Sequence, residues 1–384
     1  MQHATPLLRP PFARPRLAGL AALACLMASQ AQASATLNFG EDQSLSLGLG
    51  LRTSFTHTNT GNNKNDFNLD SIRLYANASL NKYIKGTFNT EKDSDDNVKV
   101  LDAIARFEFS DGFNIWAGRM LPPSDRANLD GPYYLSAWSY PGVVSQYPAR
   151  FAGRDDGLTV WGKVADQKLV YAVGAFRGHN RVSGASNDDG GNLLYAGRIQ
   201  YNFRDAEPNP AYYASSTYHG GAEVLALGLA GMYQADGVGT AATQGDYTGL
   251  SVDALMEHKL QGGGVVNLEA AYYDFDTDDV ADVAAGFGGA GATDNVGGIS
   301  QGDGWLVGAA YLIPAQVGWG KFQPYARYQT FDNDLANTTT KQTDVGVNYV
   351  IKGHNARVSM NYGKAKVTAT PDVKTFTVGL QVQF

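Results

Sequence analysis

Cysteine is almost missing from the sequence, since Cys25 is the only one in 384 residues. It lies in an apolar run, 17–28, that follows three arginines and precedes an Ala-Gln-Ala sequence at 31–33. A positive start, an apolar stretch too short to span a bilayer and a small-residue cleavage site are the features of a secretory signal peptide. We therefore expect residues 1–33 to be removed, which leaves a mature chain, 34–384, that depends on no disulfide.

An excess of basic residues is also lacking. The sequence has 30 lysines and arginines, of which three lie in the predicted signal peptide, so 27 remain against 37 aspartates and glutamates. The mature net charge is therefore 27 − 37 = −10. Nucleic-acid binding depends on clustered positive charge, so we expect no nucleic-acid partner.

Long hydrophobic runs are missing after the signal peptide. No later stretch approaches the ~18 apolar residues of a membrane-spanning helix. The composition is instead rich in glycine and tyrosine, with 45 and 21 residues, and 43% of the chain is hydrophobic. A soluble protein of this size would bury a leucine-rich core, whereas a barrel with a wet interior needs only an apolar outer band and aromatic girdles.

The motifs of enzyme and cofactor chemistry are absent as well. The mature chain has five histidines without metal-ligand spacing, and it has no nucleophile elbow, phosphate loop or dinucleotide fingerprint. We predict a protein that is not an enzyme, with no catalytic residues, no metal and no cofactor. One alternative is a barrel lipase or protease that uses His57 or His258. Another is a structural barrel that sheathes a partner protein.

The strongest positive signal is the end of the chain, 373–384. Phe376, Val378, Leu380, Val382 and Phe384 share one parity, and polar residues or glycine occupy the other. Such alternation predicts a strand with one apolar and one polar face. A soluble sandwich can end this way, but the clean alternation favours the closing strand of an outer-membrane barrel.

The same alternation recurs in about sixteen segments, mostly 9–13 residues long. They are 45–52, 71–80, 83–92, 98–109, 113–119, 156–164, 168–178, 192–204, 222–234, 247–259, 264–275, 304–313, 321–331, 341–351, 356–366 and 373–384. An even number of strands lets the last pair with the first, and only closed structures satisfy their backbone groups in lipid. The sequence therefore predicts one all-β domain, 34–384, folded as an antiparallel transmembrane β-barrel of about 16 strands.

The alternation stops at 120–153, after the fifth predicted strand. This stretch is rich in proline, tyrosine and tryptophan, and a connection of this length is usually functional or disordered. We expect it to fold into the lumen as a constriction, and the alternative is an ordered external loop. The residues predicted to contact solute there are Arg119, Arg126, Arg150, Arg154, Asp125 and Asp130.

Charged residues also lie on the polar faces of the predicted strands. The basic ones are Arg52, Arg73, Arg106, Lys163, Arg198, Arg327 and Arg357. Acidic residues on the same faces nearly balance them, so we expect weak ion selectivity. For any single arginine, the alternative is a structural one in which it braces an inner carboxylate.

A signal peptide, about sixteen strands, an insertion after the fifth strand and the C-terminal Phe384 resemble a Gram-negative trimeric porin. The stretch Trp116–Pro123, followed by Arg150 and Gly153, is similar to the phosphate-selective porin O/P family. The resemblance implies a water-filled homotrimer in the outer membrane, in contact with lipid and lipopolysaccharide. It also implies passive diffusion of small hydrophilic solutes, with phosphate or other anions guided by basic residues. The chain departs from that family in its acidic charge and in lacking the full basic ladder.

Overall fold

The computed structural model describes residues 34–61, 64–92, 96–147, 151–178, 181–182, 185–186, 191–240, 242–282 and 299–384. The predicted signal peptide, 1–33, lies outside these residues. The strands are β1 Ser34–Gly40, β2 Gln43–Thr58, β3 Asn65–Ser79, β4 Ile84–Lys92, β5 Val98–Ser110, β6 Phe113–Met120, β7 Asp155–Val164, β8 Leu169–Phe176, β9 Arg181–Val182, β10 Ala185–Ser186, β11 Leu194–Asn202, β12 Val224–Thr240, β13 Thr243–Lys259, β14 Val265–Asp276, β15 Gly302–Leu312, β16 Lys321–Asn333, β17 Thr338–Lys352, β18 Ala356–Val367 and β19 Val373–Gln383. The helix α1, Arg126–Asp130, is the only one in the described residues, and it is far too short to cross a membrane.

Sixteen of these strands form a closed antiparallel ring. Strands β2 to β8 are neighbours in chain order, and β8 pairs with β11. Strands β11 to β19 follow in chain order, and β19 pairs with β2 to close the ring. The ring has no open edge, which is the condition for burying sheet backbone in lipid. The prediction of an all-β transmembrane antiparallel barrel of about 16 strands is confirmed.

The first and last strands of the structure, β1 and β19, meet along β2. The first half of β2 pairs with β1, and its second half pairs with β19. Phe384 closes the junction, because its backbone N–H donates to Leu49 O at 2.8 Å and its carbonyl accepts from Leu49 N at 3.0 Å. The terminal strand is therefore hydrogen-bonded to its last residue. Beyond Phe384, β1 takes over the pairing with β2. The sequence analysis did not predict β1.

Alternation along the strands separates an apolar outer face from a polar inner face. In β19, Phe376 and Leu380 are 37% and 40% exposed, whereas Gln381 and Gln383 are 0% and 3% exposed. Other exposed apolar side chains continue this band around the ring; they include Leu49, Leu74, Ile199, Leu227, Val252, Leu268, Val307 and Val345. The outer face is thus suited to contact lipid.

Two long connections enter the barrel from opposite ends. We call the end at which β19 finishes the terminal end. The first inner segment, residues 121–154, follows β6 and starts at the opposite end, whereas the second inner segment, residues 206–222, follows β11 at the terminal end. Most described residues of both segments are buried. The interior of the barrel is therefore occupied by chain and not only by side chains of the wall.

Candidate functional site

The first inner segment begins with a capped helical turn. Asp125 is the N-cap of α1 and accepts from Asn128 N at 3.2 Å. Its carboxylate also accepts from the Ser145 and Tyr273 hydroxyls at 3.0 and 3.2 Å. Asp125 thus provides a hydrogen-bond acceptor for a free backbone N–H at the start of α1 and attaches the helix to β14. Asp125, predicted to contact solute, is 3% exposed and is engaged entirely with protein.

Beyond α1, the segment runs along the inner wall and is held by its backbone carbonyls. Four carbonyls in 133–138 accept from inward-facing side chains. Gln381 Nε2 donates to Tyr133 O at 2.9 Å, Arg357 Nη1 to Leu135 O at 2.5 Å, Asn348 Nδ2 to Ser136 O at 2.8 Å and Arg52 Nη2 to Trp138 O at 2.8 Å. Buried carbonyls outside regular structure need such donors. The wall of β2, β17, β18 and β19 supplies them.

Aromatic rings of this segment cover two wall arginines. The Arg52 guanidinium lies 4.0 Å from the Trp138 ring centroid, and the Arg73 guanidinium lies 4.9 Å from that of Tyr133. Cation–π contacts of this kind strengthen when water is excluded. Both arginines are nearly fully buried, at 4% and 5% exposed, so they contribute to docking of the segment.

Arg126, in α1, is fully occupied by protein acceptors. Its guanidinium makes five hydrogen bonds: Nη1 and Nη2 to the two Glu207 oxygens at 3.1 and 2.7 Å, Nη1 to Ser215 O at 2.8 Å, Nη2 to Gln200 Oε1 at 3.2 Å and Nε to Asp253 Oδ1 at 3.2 Å. An arginine has five N–H donors, so none is left for a solute. The geometry therefore favours a positioning role for Arg126.

Most other inward charges are also paired. The pairs are Arg73–Glu91 at 2.6 Å, Arg154–Asp102 at 3.2 Å, Arg198–Asp253 at 2.5 Å and Arg327–Asp344 at 2.9 Å. These side chains are at most 7% exposed. They match the structural alternative in which an arginine braces an inner carboxylate.

Asp130 differs from its neighbours because neither carboxylate oxygen has a hydrogen-bond partner among the described residues. It is 4% exposed. Burial raises its pKa well above the usual value; Arg126 opposes this effect, and Glu269 and Glu207 reinforce it. Burial thus shifts the Asp130 carboxyl toward its neutral form.

The second inner segment is the feature that the sequence analysis missed. Glu257, on β13, anchors it by accepting from Thr217 Oγ1 and Tyr218 N at 2.8 Å and from Gly220 N at 2.6 Å. His354 Nε2 lies 2.9 Å from Thr217 O. The signal was its composition, because this connection is rich in proline and tyrosine, like the first inner segment.

A hydrophobic cluster fills one side of the interior. It joins wall residues such as Trp116, Phe176 and Phe331 to Leu129 of the first segment and Tyr212 of the second. The composition predicted a barrel with a wet interior. In the described residues, one side of that interior is instead filled by apolar side chains from both the wall and the inner segments.

A polar cavity of about 550 Å³ remains at the terminal end. Lys85, Glu108, Trp161, Lys163 and Asn209 are among the residues that line it. Lys85 and Glu108 form an ion pair at 2.7 Å, and Lys163 Nζ donates to Asn209 O at 2.7 Å. The cavity thus ends against the second inner segment. We call it the vestibule.

The predicted site residues divide into three groups. Arg52, Arg73, Arg106, Lys163, Arg198, Arg327 and Arg357 all lie on inward faces, and of these only Arg106 and Lys163 remain partly exposed. Arg150 lies outside the described residues. Arg119 is a correction, because strand alternation places it on the outer face, between the inward Gly118 and Met120, where it pairs with Asp156 at 2.6 Å.

The histidines considered for an enzyme do not meet. His57 Nδ1 lies 2.7 Å from Asn65 Oδ1 on the neighbouring strand, and His258 Nδ1 lies 2.7 Å from Glu223 Oε2. The described ranges contain no cluster of three or more His, Cys, Asp or Glu residues that could hold a metal.

Known proteins share this architecture. The sequence model of the family described as phosphate-selective porin O and P matches residues 299–384, which contain β15 to β19. No curated protein matches the sequence. The chain is similar to the solved anion-selective porin from Comamonas acidovorans, with a TM-score of 0.58 and 14% identity over 89% of this chain and 100% of that one.

Two further solved structures are similar. OmpF of Salmonella typhi, in complex with daunomycin, gives a TM-score of 0.59 and 15% identity over 91% of this chain and 100% of that one. OprB of Pseudomonas putida, at high pH, gives a TM-score of 0.60 and 11% identity over 88% of this chain and 94% of that one. At these identities the likeness shows the fold.

The closed ring, its apolar exterior and these similarities define the class of protein. The chain has the closed 16-stranded β-barrel fold of the porins. The resemblance to the phosphate-selective porin O and P family is confirmed over the last five strands.

Proposed function

We propose that the protein is a channel through which small hydrophilic solutes and ions diffuse passively across the outer membrane. The observation that carries the proposal is a closed barrel whose inward charges are used to fix two inner segments across its lumen. No bond chemistry is required of such a protein, because its selectivity follows from aperture and charge. The two inner segments form the constriction, and the vestibule is its approach from the terminal end.

We base a proposed weak preference for anions on the inward cations that form no salt bridge. Arg52 and Arg357 form no salt bridge within the described residues, although they are 4% and 0% exposed. Nε of each and Nη2 of Arg357 lack a hydrogen-bond partner there. The other inward arginines on the described strands are paired with carboxylates. Lys163 Nζ donates to the Asn209 carbonyl and forms no salt bridge there, so Arg52, Arg357 and Lys163 are the predicted inward cations without a carboxylate partner. Phosphate and chloride are therefore the first solutes to compare.

The assembly belongs to the same proposal. The apolar outer band contacts outer-membrane lipid and lipopolysaccharide, and three copies associate into a homotrimer. Migration on native gels after gentle detergent extraction tests the trimer, and a mass corresponding to a single chain would contradict it.

Planar bilayer recording tests the channel directly. Mature protein added to a lipid bilayer is expected to raise the current in discrete steps, and the reversal potential in a KCl gradient is expected to indicate anion preference. Bilayers that stay silent although the protein has inserted would refute the channel. Stepwise conductance with a cation-directed reversal potential would refute only the anion preference.

A further inference from the structure

The two inner segments contact each other across the lumen at three places. Arg126 of the first segment holds Glu207 through both carboxylate oxygens and also donates to Ser215 O. Tyr212 OH donates to Leu121 O at 2.6 Å. The third contact joins Ser136 and Ser216, where Ser136 N donates to Ser216 Oγ at 2.6 Å.

The Arg126–Glu207 pair is the centre of these contacts. Both side chains are buried, at 4% and 5% exposed, and the fork geometry matches a planar carboxylate. Glu207 also accepts from the Tyr218 hydroxyl and from Gln200 Nε2, the latter at 3.1 Å. The pair therefore links a loop from one end of the barrel to a loop from the other end and to the wall at β11.

Each segment has its own attachment to the wall besides this link. The first is held through its carbonyls by β2 and β17 to β19, and the second is held by Glu257 on β13. Loss of the ion pair therefore leaves each segment tethered to the wall, with the facing sides held together by the hydrogen bonds at Ser215, Leu121 and Ser216. Loops held by few contacts open locally at low cost.

We propose that Arg126 and Glu207 are positioning residues that set the aperture by locking the two inner segments into one constriction. This inference rests on the proposed channel function and deepens it. The second inner segment is then a gate contributed by the terminal end of the barrel, and the bidentate ion pair at the centre of the three contacts limits how far the segments separate. Neither residue contacts the solute.

The test compares single-channel conductance of the full mature barrel with that of Glu207→Gln in concentrated KCl. The amide keeps the size of the side chain but cannot accept both Arg126 N–H groups as a carboxylate does. We expect conductance to rise roughly twofold and brief openings and closings to become more frequent, since the aperture sets the current. Glu223→Gln is the matched control, because Glu223 lies just beyond the same segment and pairs with His258 at the surface.

A disulfide separates movement of the segments from loss of one negative charge. Expression from Ser34 removes Cys25, so Ser136→Cys and Ser216→Cys introduce the only two thiols of the chain. In the Glu207→Gln background, oxidation is expected to return conductance to the wild-type value, and dithiothreitol is expected to raise it again. A rise that persists after cross-linking would assign the effect to charge and overturn the inference.

The remaining outcomes are also decisive. If the wild-type protein conducts and Glu207→Gln has the same conductance, the inference is refuted and the channel function stands. If the wild-type protein does not conduct, the channel function itself is refuted. Heat-dependent migration on denaturing gels reports whether each variant has folded. Should Glu207→Gln fail to fold, Arg126→Lys takes its place, because lysine keeps the charge without the fork, and unchanged conductance in that variant would equally overturn the inference.

Discussion

Replacement of Asp253 by asparagine is expected to destabilise the barrel more than any other single loss of charge on the inner wall. Asp253 is 1% exposed and accepts from Arg198 Nη1 and Nη2 at 2.5 and 2.8 Å. It also accepts from Arg126 Nε at 3.2 Å and from Arg126 N at 3.3 Å. One carboxylate thus serves two buried guanidinium groups.

The size of the effect follows from what each arginine retains. Arg126 keeps both oxygens of Glu207, but Arg198 is left with Gln200 Oε1 at 2.9 Å and Ser124 O at 3.2 Å, neither of which is charged. Removing one partner of a buried ion pair costs about 3–5 kcal/mol because the other charge stays buried without compensation. An exposed pair would lose about 0–1 kcal/mol.

Unfolding in guanidinium chloride, followed by tryptophan fluorescence in detergent micelles, measures the loss. Trp116, Trp138 and Trp161 lie inside the barrel at 3%, 6% and 7% exposed, so they report on its interior. Asp66→Asn is the control, because Asp66 lies on the same barrel but is exposed. A loss below about 1 kcal/mol in Asp253→Asn, equal to that of the control, would show that the buried pair does not hold the inner segments.

Three further predictions use the same preparations. Arg357→Gln should move the reversal potential toward cations because it removes an unpaired inward charge, and Lys364→Gln, at an exposed pair with Asp372, should leave the potential unchanged. Deleting Phe384 should cost about 2 kcal/mol of unfolding free energy through its two backbone hydrogen bonds to Leu49, whereas Phe384→Tyr keeps them and should match wild type. Burial, with Arg357 nearby, lowers the pKa of His354 to about 4, so the unfolded chain binds the proton first and stability should fall by about 3 kcal/mol between pH 6.5 and 4. His354→Gln should reduce that slope, and an equal slope in both proteins would contradict the assignment.

The barrel could be predicted from the sequence because each strand is encoded locally. Alternation of period two marks a strand that faces lipid on one side, whatever its neighbours are, and all sixteen predicted segments overlap strands of the ring. β1 was missed because Ser34–Gly40 directly follows the predicted cleavage site and pairs with only half of β2. Its position depends on where β19 ends, and that is a property of the closed ring.

The interior was less predictable because its contacts join distant parts of the chain. The sequence shows Arg126 and Glu207 only as two charges 81 residues apart, and no periodicity relates them. The outward orientation of Arg119 could have been predicted, since Trp116 and Met120 face inward on the same strand. Its position beside the insertion led instead to the prediction that it faces the lumen. The second inner segment contains no strand pattern, and its aromatic content was the only indication that it packs.

The inward-facing arginines show why a count of charges does not predict selectivity. A solute can be recognised only by donors that the protein has not already used. Arg126 uses all five of its donors, whereas Arg357 has Nε and Nη2 without a partner. Two side chains of identical charge and similar burial therefore differ in how many donors the protein has left unpaired. The difference arises because Arg126 meets carboxylates of β13 and of the second inner segment, whereas Arg357 receives, among the described residues, only the Leu135 carbonyl of the first inner segment.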